Sequence, residues 1–198
     1  MTSPGAARRG PRPAATPQQV LDVATGMLSR GELPEMAALA EQTGVGRTSL
    51  YRWFGDRDAL VGEVLSTYLE EALEQGYRHA RARGGRRVAR AIEALIRDAT
   101  SREPFLRLLN AQPQVMLRII MSPNGSVQTR SIATVAALID RARQNGRYRP
   151  ILDAESLAFI LVQTGQSYTW ARAATGQQPD VEETIRVTEA LLLAEAKV

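Results

Sequence analysis

Apolar residues recur at helical spacing along most of this chain, and no stretch sustains the apolar–polar alternation of a half-buried strand. Val20, Ala24, Met27 and Leu28 form the first stripe. Thr16, Pro17 and Gln19 stand where a capping box with proline at the first helical position would open that helix, and Gly31 where it would end. A short second helix carries Met36, Leu39 and Ala40; Gly44 supplies the positive φ of a tight inter-helix turn, and Val45 plugs the junction. A third helix runs from about Arg47 to Phe54. Its inward residues are Leu50 and Phe54, which leaves Arg47, Thr48, Ser49, Tyr51, Arg52 and Trp53 as a surface of hydrogen-bond donors and flat rings. A fourth, capped by Asp56, continues through Val61, Val64, Leu65, Tyr68, Leu69 and Leu73 to near Arg83.

From Gly84 onward the pattern stays helical, with breaks at Gly84-Gly85, Pro104, Pro113, Pro123 to Gly125, Gly146 to Pro150, and Gly176 to Pro179. Val88, Ile92, Leu95, Ile96 and Ala99 mark one amphipathic helix; Ile132, Val135, Ala136, Leu138 and Ile139 mark another. The last two helices are apolar on more than one side. The first, capped by Asp153, has Leu157, Ile160, Leu161, Thr164 and Tyr168 on one face and Phe159, Val162, Gln166 and Trp170 around the other. The second, opened by Asp180 and Glu183, carries Val181, Ile185, Thr188 and Leu192, widened by Val187, Leu191 and Leu193. A helix apolar on most sides needs two burial partners. The fold class is therefore all-α.

Composition narrows the chemistry. The formal net charge of +4 is compatible with a polyanionic partner without requiring one. With no cysteine there are no disulfides, thiolate metal sites or cysteine nucleophiles. The lone histidine, His79, lies on a polar stretch, and no carboxylate–histidine pair has metal-ligand spacing, so the expectation is a non-enzyme without metal or cofactor. The longest apolar runs, 158–162 and 190–194, are far too short to span a membrane and the N-terminus has no signal-peptide core, which points to a cytoplasmic protein. Residues 1–15, rich in Pro, Gly, Ala and Arg, read as a disordered basic tail, either dispensable or an arm placing Arg8, Arg9 and Arg12 in a minor groove.

The stretch LAEQTGVGRTSLYRWFGDRDAL (39–60) resembles the helix-turn-helix of the TetR/AcrR family of bacterial regulators. The matched landmarks are Leu39-Ala40, Gly44-Val45, Leu50-Tyr51, Trp53-Phe54 and Arg57. Three departures stand out: Gly46 where the family often has a capping serine, Trp53 for the common histidine, and Arg57 for the common lysine. The resemblance implies an N-terminal three-helix DNA-binding domain over 16–61 and a helical-bundle ligand-binding and dimerisation domain over 62–198. It implies that Arg47, Thr48, Ser49, Tyr51, Arg52, Trp53 and Arg57 face double-stranded operator DNA, with Arg57 gripping phosphate. It implies further that the final two helices pair with their two-fold mates in a homodimer, for which Leu161, Tyr168, Ile185, Thr188 and Leu192 are the candidate interface. Within the family, YRWFGDRDALVGEVL and MLRIIMSPNGSV resemble a QsdR-like branch, associated with control of lactone-degrading enzymes.

A ligand site is sought between the fourth helix, the 88–102 helix and the unusually apolar segment 105–121, which Pro113 interrupts. Its candidates are Tyr68, Arg97, Phe105, Met116, Met121, Gln163, Gln166 and Tyr168, the methionines being adaptable wall or ordinary core. The expected function is a ligand-responsive regulator, a repressor on a palindromic operator, released by a small, largely apolar, lactone-like effector. The alternative is a helical protein-interaction module without ligand response, which would explain the bundle but not the run from Gly44 to Arg57.

Overall fold

The structure, a computed structural model, describes residues 15–123, 125–144, 148–175 and 180–195, with 168–170 and 172–175 described by their backbone alone. Ten helices are present among the described residues: α1 (Pro17–Ser29), α2 (Met36–Thr43), α3 (Arg47–Phe54), α4 (Arg57–His79), α5 (Gly84–Ser101), α6 (Glu103–Ala111), α7 (Pro113–Met121), α8 (Ser126–Gln144), α9 (Ala154–Thr175) and α10 (Val181–Leu193). The fold is all-α; its only extended pairing among the described residues is one isolated bridge between Pro150 and Glu195. The basic tail 1–14 lies outside the described residues.

Local chemistry sets the boundaries. The capping box at α1 is complete: Thr16 Oγ1 accepts from Gln19 N at 3.3 Å while Gln19 Oε1 accepts from Thr16 N at 2.8 Å. Gly44 closes α2 at φ 70°, a left-handed conformation that side chains with a Cβ adopt at a cost, and this lets α3 turn away. Asp56 caps α4 through Ala59 N at 2.8 Å, and Asp180 caps α10 through the amides of Glu182 and Glu183. Pro104 and Pro113 sit in the first turns of α6 and α7, where a missing N–H costs nothing. α4 stops at His79 rather than near Arg83. Ala80 is already extended, and the Tyr77 carbonyl of the last turn accepts from Arg87 Nε at 2.8 Å, while residues 80–83 supply no apolar stripe to continue the helix.

Two apolar cores share α4. The first joins Val20, Leu39, Leu50, Leu60 and Val61 to Leu108, Met116, Ile119 and Val127 of α6, α7 and α8. The second joins Leu73 and Tyr77 to α5, α8, α9 and α10. The packing sets α1 against α6, and α4 links the N-terminal helices to α7 and the rest of the body.

α10 lies along α5 so closely that backbone meets backbone. A Cβ at Gly85 would fall 2.2 Å from the Leu192 carbonyl oxygen and 2.7 Å from Tyr148 Cε2. Gly85→Ala should therefore destabilise the fold by about 1–3 kcal/mol or more, read as a lower denaturation midpoint. A variant as stable as the parent would mean that α10 does not sit where described.

The same packing revises the expected dimer residues. Leu161, Ile185, Thr188 and Leu192 are all buried inside this single chain, because the apolar face of α5 and its neighbours already covers them. They are core, not free interface. Among the described residues, the large apolar side chains left exposed on α9 and α10 are Phe159, Ile160, Val187 and Leu193. Tyr168, the fifth candidate, lies among the residues whose side chains are outside the description.

Candidate functional site

α3 presents its polar face outward because Leu50, fully buried, anchors the other face. Arg47, Thr48, Tyr51 and Arg52 are exposed, Tyr51 to 52%, so its ring and hydroxyl face outward between the two arginines. Arg47 and Arg52 form no ion pair among the described residues, so two positive charges flank that tyrosine unneutralised. Ser49 is half-buried on the same helix. Trp53 is only half-exposed: it meets Phe54 edge-on, with ring centroids 6.2 Å apart at 88°, and both pack on the first core. Its indole thus serves packing as well as any outward contact.

Arg57 stands at the first turn of α4, but its guanidinium is already engaged. Nη1 donates to Glu35 Oε1 at 2.5 Å, and Nε lies 3.4 Å from Asp58 Oδ1. The hydrogen bond that Arg57 donates to Glu35 outweighs the opposing effect of desolvation and holds Arg57 more firmly protonated than a free arginine. Asp58 Oδ2 in turn accepts from Arg118 Nε at 2.6 Å. Four alternating charges thus run from the start of α2 to α7. Sequence spacing does not relate residues 35, 58 and 118, so neither the Glu35–Arg57 pair nor the Arg118–Asp58 pair could be found from it.

A cavity of about 280 Å³, almost wholly apolar, is lined by residues of α1, α4, α5, α6, α7, α8 and α9. Four of the expected ligand residues line it: Tyr68, Phe105, Met116 and Gln166. Three do not. Arg97 is on the outer side of α5, paired with Glu93 at 3.0 Å and Glu182 at 2.6 Å, where it fastens α5 to α10. Gln163 is exposed and its Oε1 accepts from Gln128 Nε2 at 2.8 Å. Met121 packs against the first core at the end of α7. Tyr168 again falls outside the described side chains.

The polar groups in the cavity wall are few. Tyr68 donates its hydroxyl to Asp98, which also accepts from Arg102 Nε at 2.6 Å, and the Arg102 guanidinium lies 5.0 Å from the centre of the Tyr68 ring. Burial, then the Asp98 hydrogen bond, pushes the Tyr68 hydroxyl up to about 12. Arg102 is the main reason that Asp98 stays below the usual carboxylate range. These three groups satisfy one another. Gln166, 8% exposed, differs: its Nε2 donates to the Ile120 carbonyl at a long 3.4 Å, and its Oε1 has no partner among the described residues.

Among the described residues no group of three or more His, Asp or Glu is placed to hold a metal ion, and no helix is long and apolar enough to cross a membrane.

Residues 83–193 match the family model described as the tetracyclin repressor-like C-terminal domain. The fold is similar to that of QsdR, a TetR-family transcriptional repressor from R. erythropolis, with 25% identity over 91% of this chain and 96% of that one and a TM-score of 0.82. AlkX, a TetR-family repressor from Dietzia, shares it at 19% identity over 91% and 96% of the two chains, TM-score 0.62. FadR from Bacillus subtilis, in complex with stearoyl-CoA, shares it at 13% identity over 91% and 99%, TM-score 0.53. No curated protein matches. With an exposed basic, tyrosine-bearing helix after a left-handed glycine turn, and the family domain over more than half its length, the chain belongs to the TetR family of transcriptional regulators.

Proposed function

We propose that this regulator binds a two-fold-related DNA site in the cytoplasm as a homodimer, represses from it, and is released when a small, largely apolar ligand occupies the cavity. The observation that carries the ligand response is the composition of the cavity wall. Thr25, Leu28 and Ser29 of α1 share it with α4 to α9, so an occupant touches the DNA-binding helices and the body at once. Met116 and Ile120 of α7 are also in the wall, and α7 carries Arg118, which holds Asp58 beside Arg57. A ligand that favours one position of α7 therefore acts on the residue expected at phosphate.

The magnitudes are sufficient. A full switch from 99:1 to 1:99 needs about 5.5 kcal/mol of differential binding. At about 0.8 kcal/mol per buried methylene, about seven methylenes contacted in only one state supply it. The cavity, at about 280 Å³, is near the roughly 300 Å³ lower end of ordinary ligand pockets. Compact aliphatic compounds, lactones among them, are the first class to screen, by thermal shift and then by release of bound DNA. Met116 is fully buried in the wall, so Met116→Trp should fill the space and abolish the response while DNA affinity changes by less than about threefold. A normal response in that variant would place the site elsewhere. A chain that shifts no DNA in a mobility assay would instead support a protein-interaction module.

A further inference from the structure

We infer that the effector is a neutral aliphatic molecule carrying an N–H donor, a carboxamide in its simplest form, and that Gln166 is the residue that selects it. The inference rests on the ligand reading above and adds the ligand's chemistry. Gln166 lines the cavity from α9 and is more than nine-tenths buried, yet its Oε1 finds no donor among the described residues. A buried carbonyl oxygen without a donor is costly, and the cost is relieved when a bound molecule brings one. The side chain is free enough to meet it. Its one side-chain hydrogen bond among the described residues, Nε2 to the Ile120 carbonyl, is 3.4 Å long, beyond the usual range, and the terminal torsion of glutamine is broad. A ligand amide can then donate N–H to Oε1 and accept from Nε2, pairing amide with amide.

The rest of the wall argues against an anion. Among the described residues Arg102 is the basic residue lining the cavity, and its guanidinium is held by Asp98 and laid against Tyr68. A carboxylate inside would compete with Asp98 for it and oppose the unpaired Gln166 oxygen. A lactone or ester without an amide offers acceptors only and leaves that oxygen as it was. Apart from the hydroxyls of Thr25, Ser29, Thr100 and Ser131, the rest of the wall is mostly aliphatic, with Leu69, Ile96, Leu109 and Ile120 among its side chains, which suits a short alkyl chain.

The test is a double-mutant cycle between protein and ligand. Octanamide and 2-nonanone have the same shape and carbonyl, and differ by an NH₂ exchanged for a methyl; each is titrated calorimetrically into the wild-type chain and into Gln166→Leu. The expected result is that the ratio of the ketone's Kd to the amide's falls about tenfold in the variant, the size of one buried hydrogen bond. Gln166→Met, closer in length, repeats the comparison if Gln166→Leu does not fold. Octanoate is expected to bind more weakly than octanamide. An unchanged ratio in a folded variant, or octanoate bound best, overturns the inference while leaving an apolar ligand site intact. If none of the probes binds the wild-type chain, the inference and the ligand reading fall together.

Discussion

Glu35→Gln should tighten DNA binding and Arg57→Ala should weaken it, two opposite results from a pair of residues that touch each other. In the free protein Glu35 occupies the guanidinium that is expected at a phosphate, with an Oε1–Nη1 distance of 2.5 Å. Arg57 is mostly covered, whereas Glu35 is 60% exposed, so the bridge is half solvated and worth at most about 1 kcal/mol. A phosphate can displace it, at a small energetic cost. Removing the carboxylate eliminates that cost and one repulsive charge, and a few-fold gain in affinity for all sequences should follow. Removing Arg57 deletes one phosphate contact. That should cost about tenfold, lower the log–log salt slope by about 1, and leave base preference unaltered. The combination is the sharper test: in an Arg57→Ala background, Glu35→Gln should lose most of its benefit. If Glu35→Gln helped equally with and without Arg57, the pairing would be irrelevant to binding.

The second large effect separates folding from assembly. Leu192 is fully buried between α10 and α5, so Leu192→Arg forces an unpaired charge into the core and should cost at least about 4 kcal/mol, enough to unfold the body. Phe159 is 49% exposed on α9, on the outer side with Ile160. Phe159→Asp should leave the denaturation midpoint within about 0.5 kcal/mol of the parent in a monomeric state and still disrupt the dimer, with a loss of operator affinity, because two linked heads bind far more tightly than one. Sedimentation and circular dichroism on the same samples decide it. A Phe159→Asp variant that remains dimeric places the interface on another surface.

The local features of this molecule were readable in the sequence, and the long-range ones were not. The α1 capping box, the Gly44 turn, the α3 span and the Asp56 and Asp180 caps depend on residues within four positions of one another, where spacing determines who can meet whom. Periodicity also marked Ile185 and Leu192 as inward-facing. It could not say inward to what: the same stripe serves a protomer core or a dimer seam, and the close approach of α10 to Gly85 settled it as core. Arg97 and Gln163 were placed in the cavity by position along their helices, yet their partners, Glu182 and Gln128, lie on other helices and draw them outward. Arg57 was found from the helix start it occupies, and Glu35, which masks it, was not, since 22 residues and a turn separate them.

The central claim is that the exposed face of α3 reads DNA as one half of a symmetric pair. Selection of bound duplexes from a random library, by the purified full-length chain, addresses it without any assumption about the target. The expected outcome is enrichment of one two-fold-related site whose half-sites are centred about one helical turn apart, roughly 34–36 Å, bound at least about a thousandfold more tightly than unselected DNA. Recovery of no common sequence, or of a single unrepeated half-site bound by one chain, would contradict it.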